Sequence, residues 1–176
     1  RVLAHKLNQH TGVRAHIVDI GCGTGRDMAW FESMGVTVTG IDLSSGMITF
    51  ARRVTTGDLL MRDMRRLSFC SGSFDGAWCC ASLLHLPKKD APSALREVRR
   101  VLKPGGMLIL SVQAGNSEGW EEGYANGVQR FFARYAVDEM QTTLAGSGFA
   151  VREITSDHTG ERQWLSFVCV AGSAPA

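Results

Sequence analysis

A short apolar run, HIVDI at residues 16–20, leads straight into Gly21-Cys22-Gly23-Thr24-Gly25. A brief continuous apolar segment that breaks into glycines has the pattern of a parallel strand buried on both faces. Three alternate glycines let the backbone turn tightly and lie against a ligand with no Cβ in the way. In an open α/β sheet, ligands bind at the carboxyl ends of the strands near the switch in strand order, where this bend falls. A nicotinamide or flavin fingerprint would read G-x-G-x-x-G. Starting at Gly21, that register needs a small residue where the chain has Arg26, which weakens the dinucleotide reading.

The rest of the chain repeats the same alternation. The spacing predicts helices over residues 2–9, 25–34, 46–53, 89–102 and 137–145. Strands are expected over 16–20, 36–41, 59–62, 74–81, 107–112, 149–155 and 164–170. Gly35 ends the second helix, Ser44 and Ser45 supply caps for the third, and Lys103-Pro104-Gly105-Gly106 reads as a turn. Residues 113–127 form a polar, glycine-bearing insert with no element assigned. Five strand–helix units followed by two strands on a short link predict an α/β fold, a doubly wound and mostly parallel seven-stranded sheet with an antiparallel last strand.

With 176 residues, the chain is expected to form one domain with a single core. Its 44% apolar and 20% charged residues are ordinary for a folded protein, and no apolar run is long enough to form a membrane-spanning helix. Five cysteines, with no C-x-x-C pair, are expected to be reduced thiols in a cytoplasmic protein, and no zinc-ligand spacing is present. The chain opens at Arg1 within a helical pattern, so an upstream helical segment is expected to be missing. The net charge of +2 is unevenly spread: residues 51–103 hold eleven basic and five acidic side chains, and residues 104–176 hold four and eight. Glu118, Glu121 and Glu122 fall in the insert, which counts against a polyanionic substrate.

Two carboxylates, and the Phe74-Asp75 and Arg100–Gly106 starts of the fourth and fifth strands, raise the glycine bend above a generic turn. Asp42 ends the second strand, where a carboxylate can accept hydrogen bonds from ribose hydroxyls or cap the next helix. Asp63 ends the third, where it can meet an adenine amino group or pair with Arg62, Arg65 or Arg66. His85 lies just beyond the fourth strand, as a general base, a substrate contact or a packed helix-start residue. His158 is expected on the surface in the link between the last two strands. Arg99 and Arg100 read as a solvated helix face or, less simply, a substrate clamp.

Six segments in order, IVDIGCGTG (17–25), GIDLS (40–44), RDMRRLSF (62–69), SFDGAW (73–78), SLLHLP (82–87) and RVLKPGGMLILSV (100–112), resemble the class I S-adenosylmethionine-dependent methyltransferases. FFARYAVDEM and LAGSGFAVREI, within 131–154, resemble the same family's tail. The resemblance implies a Rossmann-like methyltransferase domain that uses S-adenosyl-L-methionine and methylates a small molecule. It implies that Asp19 orders the loop and the methionine ammonium, and that Gly21, Cys22, Gly23 and Gly25 form the loop against the methionine and ribose. It further implies that Asp42 takes the ribose hydroxyls, Leu43 packs on adenine, Asp63 and the Met64 backbone hold the ring, and Ala81 lies beside the sulfonium. Trp120, Glu121 and Tyr124 in the insert are expected to cover the site. The alternatives are an RNA methyltransferase and a non-catalytic cofactor-binding domain. No Asn/Asp-Pro-Pro-aromatic tetrad follows the fourth strand, which sets aside an adenine- or glutamine-type amino methylase.

Overall fold

Alternation along the central strands decides how the layers form. Ile17 of β1 (His16–Ile20) faces one side of the sheet, and Val18 and Ile20 face the other. The same parity recurs in β4 (Phe74–Cys80), with Trp78 against Ala77 and Cys79, and in β5 (Leu102–Gln113), with Ile109 against Leu108 and Leu110. Both faces are apolar, so both must be covered. The computed structural model describes residues 2–11, 15–122 and 127–172. In it, α1 (Val2–Thr11), α2 (Arg26–Ser33) and α3 (Ser45–Ala51) cover one face through Leu7, Met28, Phe31 and Ile48. On the other face lie α4 (Ala91–Val101) and α5 (Val137–Gly146). Ala91, Ala94, Leu95, Val98 and Val101 of α4 are buried at helical spacing and form a single apolar stripe.

With β2 (Thr37–Asp42), β3 (Asp58–Met61), β8 (Phe149–Thr159) and β9 (Arg162–Ala171), the sheet has the order β3-β2-β1-β4-β5-β9-β8. Every pair from β3 to β5 is parallel, and β9 runs antiparallel between β5 and β8. The expected seven-stranded architecture is therefore the observed one. The strand order reverses between β1 and β4, which leaves the carboxyl ends of both open to one crevice. Among the described residues, no helix is long and apolar enough to cross a membrane.

Four details depart from the sequence reading. The polar stretch 113–127 contains a strand, β6 (Glu118–Glu122), which pairs antiparallel with β7 (Gln129–Ala133) in a separate two-stranded sheet. Its support is cross-strand: Trp120 meets Phe131 edge-on at 5.8 Å, and Arg134 bonds the Glu121 carboxylate. Second, β8 and β9 extend to a two-residue turn at Gly160-Glu161, so His158 stands within β8, exposed, opposite Gln163. Third, Leu102 already pairs with Phe74, and the register resumes at Gly76 and Met107. The KPGG segment is thus an outward bulge within β5 rather than a turn before it.

The fourth concerns Arg100, which is partly exposed yet tied into the structure, and is not a substrate clamp. Its guanidinium donates to the Leu67 and Phe69 carbonyls at 2.6 and 2.7 Å and pairs with Glu97 at 2.7 Å; Glu97 in turn accepts from the Leu67 N–H at 2.9 Å. The pair fastens the loop after β3, which carries Asp63 and Met64, to α4. Charge-assisted bonds of this kind, partly exposed, stabilise by about 2 kcal/mol together. Arg100→Ala is expected to lower Tm by about 4–8 °C in a chain of this size. A shift below 1 °C in a thermal melt would contradict the fastening role.

Candidate active site

The carboxyl ends of β1 to β4 open on a cavity of about 700 Å³. Its floor is the β1–α2 loop, where Gly21 and Gly23 hold φ of +75° and +54°. The Gly21 and Cys22 N–H groups both donate to the Ile41 carbonyl, at 2.8 and 2.9 Å, which draws this loop onto the end of β2. A Cβ at Gly21 would lie 2.3 Å from the Ser82 Cβ, so only glycine permits the β1 and β4 loops to meet here. Ser82 seals that meeting by donating to the Ile20 carbonyl at 2.5 Å, with Cys79 Sγ 3.2 Å from its Oγ.

Asp42, at the tip of β2, is held on both oxygens. Oδ2 accepts the Gly23 N–H at 2.9 Å and Oδ1 the Ser44 N–H at 2.8 Å. The cap of α3 is Ser44, whose Oγ accepts from the Met47 N–H, so Asp42 is not used as the N-cap. Each Asp42 oxygen keeps lone-pair capacity toward the cavity it lines. Asp63, just beyond β3, lines the same wall and also forks with Arg65, at 2.6 Å from Nη2 to Oδ2, while Arg65 reaches on to Asp90 at 3.0 Å. Hydrogen bonds from Arg65 hold the Asp63 carboxyl below its ordinary range. Asp63 therefore makes the expected ion pair, with Arg65, while lining the cavity.

Eight of the residues singled out in the sequence stand together on this cavity: Gly21, Gly23, Asp42, Leu43, Asp63, Met64, Ala81 and His85. Leu43 is 69% exposed, an apolar side chain at the rim of the mouth. Ala81 has φ of +55°, unusual for a residue with a side chain, where β4 leaves the sheet. Three others lie behind the wall. Gly25 packs on α3, where a Cβ would come within 3.1 Å of Ala51 and Val54. Cys22 is buried in the core with its thiol pushed up to about 12, first by burial and then by Asp19 and Asp42. Asp19 is 2% exposed, and its Oδ2 has no hydrogen-bond partner. Burial first, then the neighbouring Asp27 and Asp42 carboxylates, push its carboxyl well above the ordinary value.

His85 follows the fourth strand in a 3₁₀ turn (Leu83–His85) and reaches across to β7. Its Nδ1 lies 2.8 Å from the Phe131 carbonyl and its Nε2 3.0 Å from Arg130 Nη2. A guanidinium only donates, so Nε2 is the unprotonated nitrogen and Nδ1–H donates to Phe131. Burial, the Phe131 carbonyl notwithstanding, holds the imidazole below its usual value, and Arg130 adds to the effect. The lone pair that a general base would use is thus already engaged. Of the insert residues expected to cover the site, Trp120 is 71% exposed and off the cavity wall, Glu121 turns to Arg134, and Tyr124 lies outside the described residues. The wall on this side comes instead from Val128 and Arg130. Arg130 and Ser82 were missed: the link from Arg130 to His85 spans 45 residues, and Ser82 acts through a backbone carbonyl.

A glycine floor, two carboxylates at adjacent strand tips and a buried, unmatched carboxylate beneath the loop thus stand together at the carboxyl end of a doubly wound sheet. A family model described as "Methyltransferase domain" matches residues 18–110, more than half of the chain. A malonyl-[acyl-carrier protein] O-methyltransferase of Erwinia pyrifoliae is 32% identical over 160 residues, covering 82% of this chain and 58% of that protein. A solved S-adenosylmethionine-dependent methyltransferase of Methanosarcina mazei superposes with a TM-score of 0.85 at 20% identity, covering 95% of this chain and 97% of the other. The 1,6-didemethyltoxoflavin-N1-methyltransferase of Burkholderia thailandensis, solved with its acceptor and S-adenosylhomocysteine, gives 0.81 at 23% identity, covering 98% and 78%. The chain belongs to the class I S-adenosylmethionine-dependent methyltransferase family. It spans about half the length of the curated relatives it matches.

The Asp19 carboxylate supplies a test of the site without ligand. Its raised value means that stability falls as pH climbs above the carboxyl's ordinary 3.8, because the folded protein then holds a proton that the unfolded chain releases. Asp19→Asn removes that penalty. Its Tm at pH 7.5 should exceed the wild type's by about 2–4 °C, and the gap should shrink toward pH 4. Equal melting temperatures throughout this range would contradict the desolvated carboxylate.

Proposed function

We propose that this domain transfers a methyl group from S-adenosyl-L-methionine to a small-molecule acceptor. The observation that carries the reading is Asp42, a carboxylate fixed by two backbone N–H groups at a strand tip and facing a glycine-floored cavity of about 700 Å³. A rigid pair of acceptor oxygens at this position fits a vicinal diol, and the β1–α2 loop beside it fits the chain leading away from a ribose. In this reading Asp42 binds the ribose hydroxyls, Gly21 and Gly23 let the backbone close on the methionine and ribose parts, and Leu43 packs on the adenine face. Asp63 and the Met64 backbone hold the adenine edge, and Ala81 borders the sulfonium end. Asp19 contributes a negative potential through the loop toward the methionine ammonium; its unmatched oxygen and raised value fit a site completed by a cation.

The cofactor, when bound, supplies a methyl already activated on a cationic sulfur. The protein's own task is alignment and exclusion of water, which can supply about 7–11 kcal/mol of barrier reduction. The β7 arm and the turn that carries His85 close the acceptor side, and their hydrogen bonds fix that wall before any acceptor arrives. With Nε2 engaged by Arg130, His85 shapes the wall and is not poised as a base. A small acceptor suits a cavity of this volume, and the carboxylates of Glu118, Glu121 and Glu122 on the neighbouring strand disfavour a polyanion.

Asp42→Ala removes charge-assisted bonds worth about 1.5–3 kcal/mol each, so affinity for S-adenosylhomocysteine should fall at least tenfold. Titration calorimetry of both proteins reads this directly. Equal affinity would refute the ribose assignment.

A further inference from the structure

Three cations around the β6–β7 hairpin have carboxylate partners. Arg134 pairs with Glu121, Lys88 with Glu139 at 2.8 Å, and Arg65 with both Asp63 and Asp90. Strand register sets Arg130 opposite Glu121, yet that carboxylate goes to Arg134. Glu118 accepts from the Lys88 N–H and Glu122 from the Gly127 N–H, so the hairpin's other acids are also engaged. Among the described residues, Arg130 has no carboxylate partner. It is half-buried, lies 6.0 Å above the Phe132 ring and gives an N–H to the neutral nitrogen of His85.

A neutral partner orients a guanidinium without cancelling its charge. His85 is itself anchored, by Nδ1–H to the Phe131 carbonyl and by its edge-on contact with Phe132 at 4.9 Å, so Arg130 rests on a rigid support. Arg62, the other arginine on the cavity wall, stands next to Asp63 at the end of β3 and donates to the Met61 carbonyl. On the wall at the ends of β2 and β3, Asp42 stands with Arg62 and with Asp63 paired to Arg65, whereas the β7 wall carries Arg130. Resting on the reading of this cavity as a methyl-transfer site, we propose that Arg130, positioned by His85, binds a carboxylate on the methyl acceptor as its recognition handle. The planar fork of a guanidinium matches a carboxylate's two oxygens, so one arginine suffices to orient such a molecule. A residue that acts through another is a positioning residue, and this is the role of His85.

The groups facing His85 are Arg130 from β7 and, at longer range, Asp42 from β2. Protonation would place a donor on Nε2 and expel Arg130, so carboxylate recognition should weaken as pH falls below 6.5 while His85 gains its proton. The test uses the full protein saturated with S-adenosylhomocysteine, titrated calorimetrically with benzoate, hexanoate and glutarate, with the corresponding amides, and with phenyl phosphate. At least one carboxylate should bind tenfold or more tightly than its amide, and the preference should decline below pH 6.5, where His85 takes up its proton. Arg130→Gln should abolish it, Arg130→Lys should keep part of it, and His85→Leu should reduce it at least threefold. His85→Gln, whose amide can accept from Arg130 and donate to Phe131, should restore most of it. If S-adenosylhomocysteine itself fails to bind the wild type, the methyl-transfer reading falls. If it binds, the carboxylate proposal is overturned by any of three results: no carboxylate binding, a preference that survives Arg130→Gln, or tighter binding of phenyl phosphate than of every carboxylate.

Discussion

The two backbone N–H groups that clasp Asp42 come from different loops, Gly23 after β1 and Ser44 after β2. That clasp joins the glycine bend to the start of α3, and the position of each depends on it. The Ile41 carbonyl reinforces the junction by accepting from Gly21 and Cys22, so one strand end organises the whole floor of the cavity. A carboxylate fixed in this way needs little rearrangement to accept a ligand's hydroxyls, which is the advantage of placing recognition on strand tips rather than on free loops.

The same corner of the fold carries an electrostatic cost. Asp19 is enclosed with Asp27 and Asp42 nearby, and one of its oxygens has no partner. Asp27 pairs with Arg26 and accepts the Trp78 indole N–H at 3.0 Å, whereas Arg26 offsets Asp19 only from a distance and by less than burial and the two carboxylates raise it. Unsatisfied buried carboxylates are costly, and they concentrate where a bound cation supplies what the chain lacks. Across the cavity the imbalance is reversed at Arg130. The site therefore sets the Asp42 carboxylate beside the glycine loop, above the buried Asp19 carboxyl, against the Arg130 guanidinium on the β7 wall.

What could be read from the chain beforehand follows the range of the forces involved. HIVDI, the three glycines and Asp42 have local causes, namely an apolar run, a backbone freed of Cβ atoms and a strand that ends, and all three stand where expected. The fourth strand, expected over 74–81 and found at Phe74–Cys80, was legible for the same reason. Asp63 was left between two partners, and the structure gives it both Arg65 and the cavity. The β6–β7 hairpin was hidden because EGWEE has no apolar alternation of its own; Phe131, Phe132 and Arg134, more than ten residues further on, make it a strand. His85 was placed correctly at the rim, yet its proton state is dictated by Arg130, a partner no local pattern reveals. Arg100 looked solvated because helical spacing says nothing about the carbonyls of a loop packed alongside.

The most direct measurement is a high-resolution crystal structure of the protein with S-adenosylhomocysteine. The account predicts both ribose hydroxyls on the Asp42 carboxylate, the adenine edge at Asp63 and Met64, and the homocysteine chain along Gly21 and Gly23. A nucleoside lodged elsewhere, or an Asp42 still bound to Gly23 and Ser44 with the ribose pointing away from it, would contradict that account.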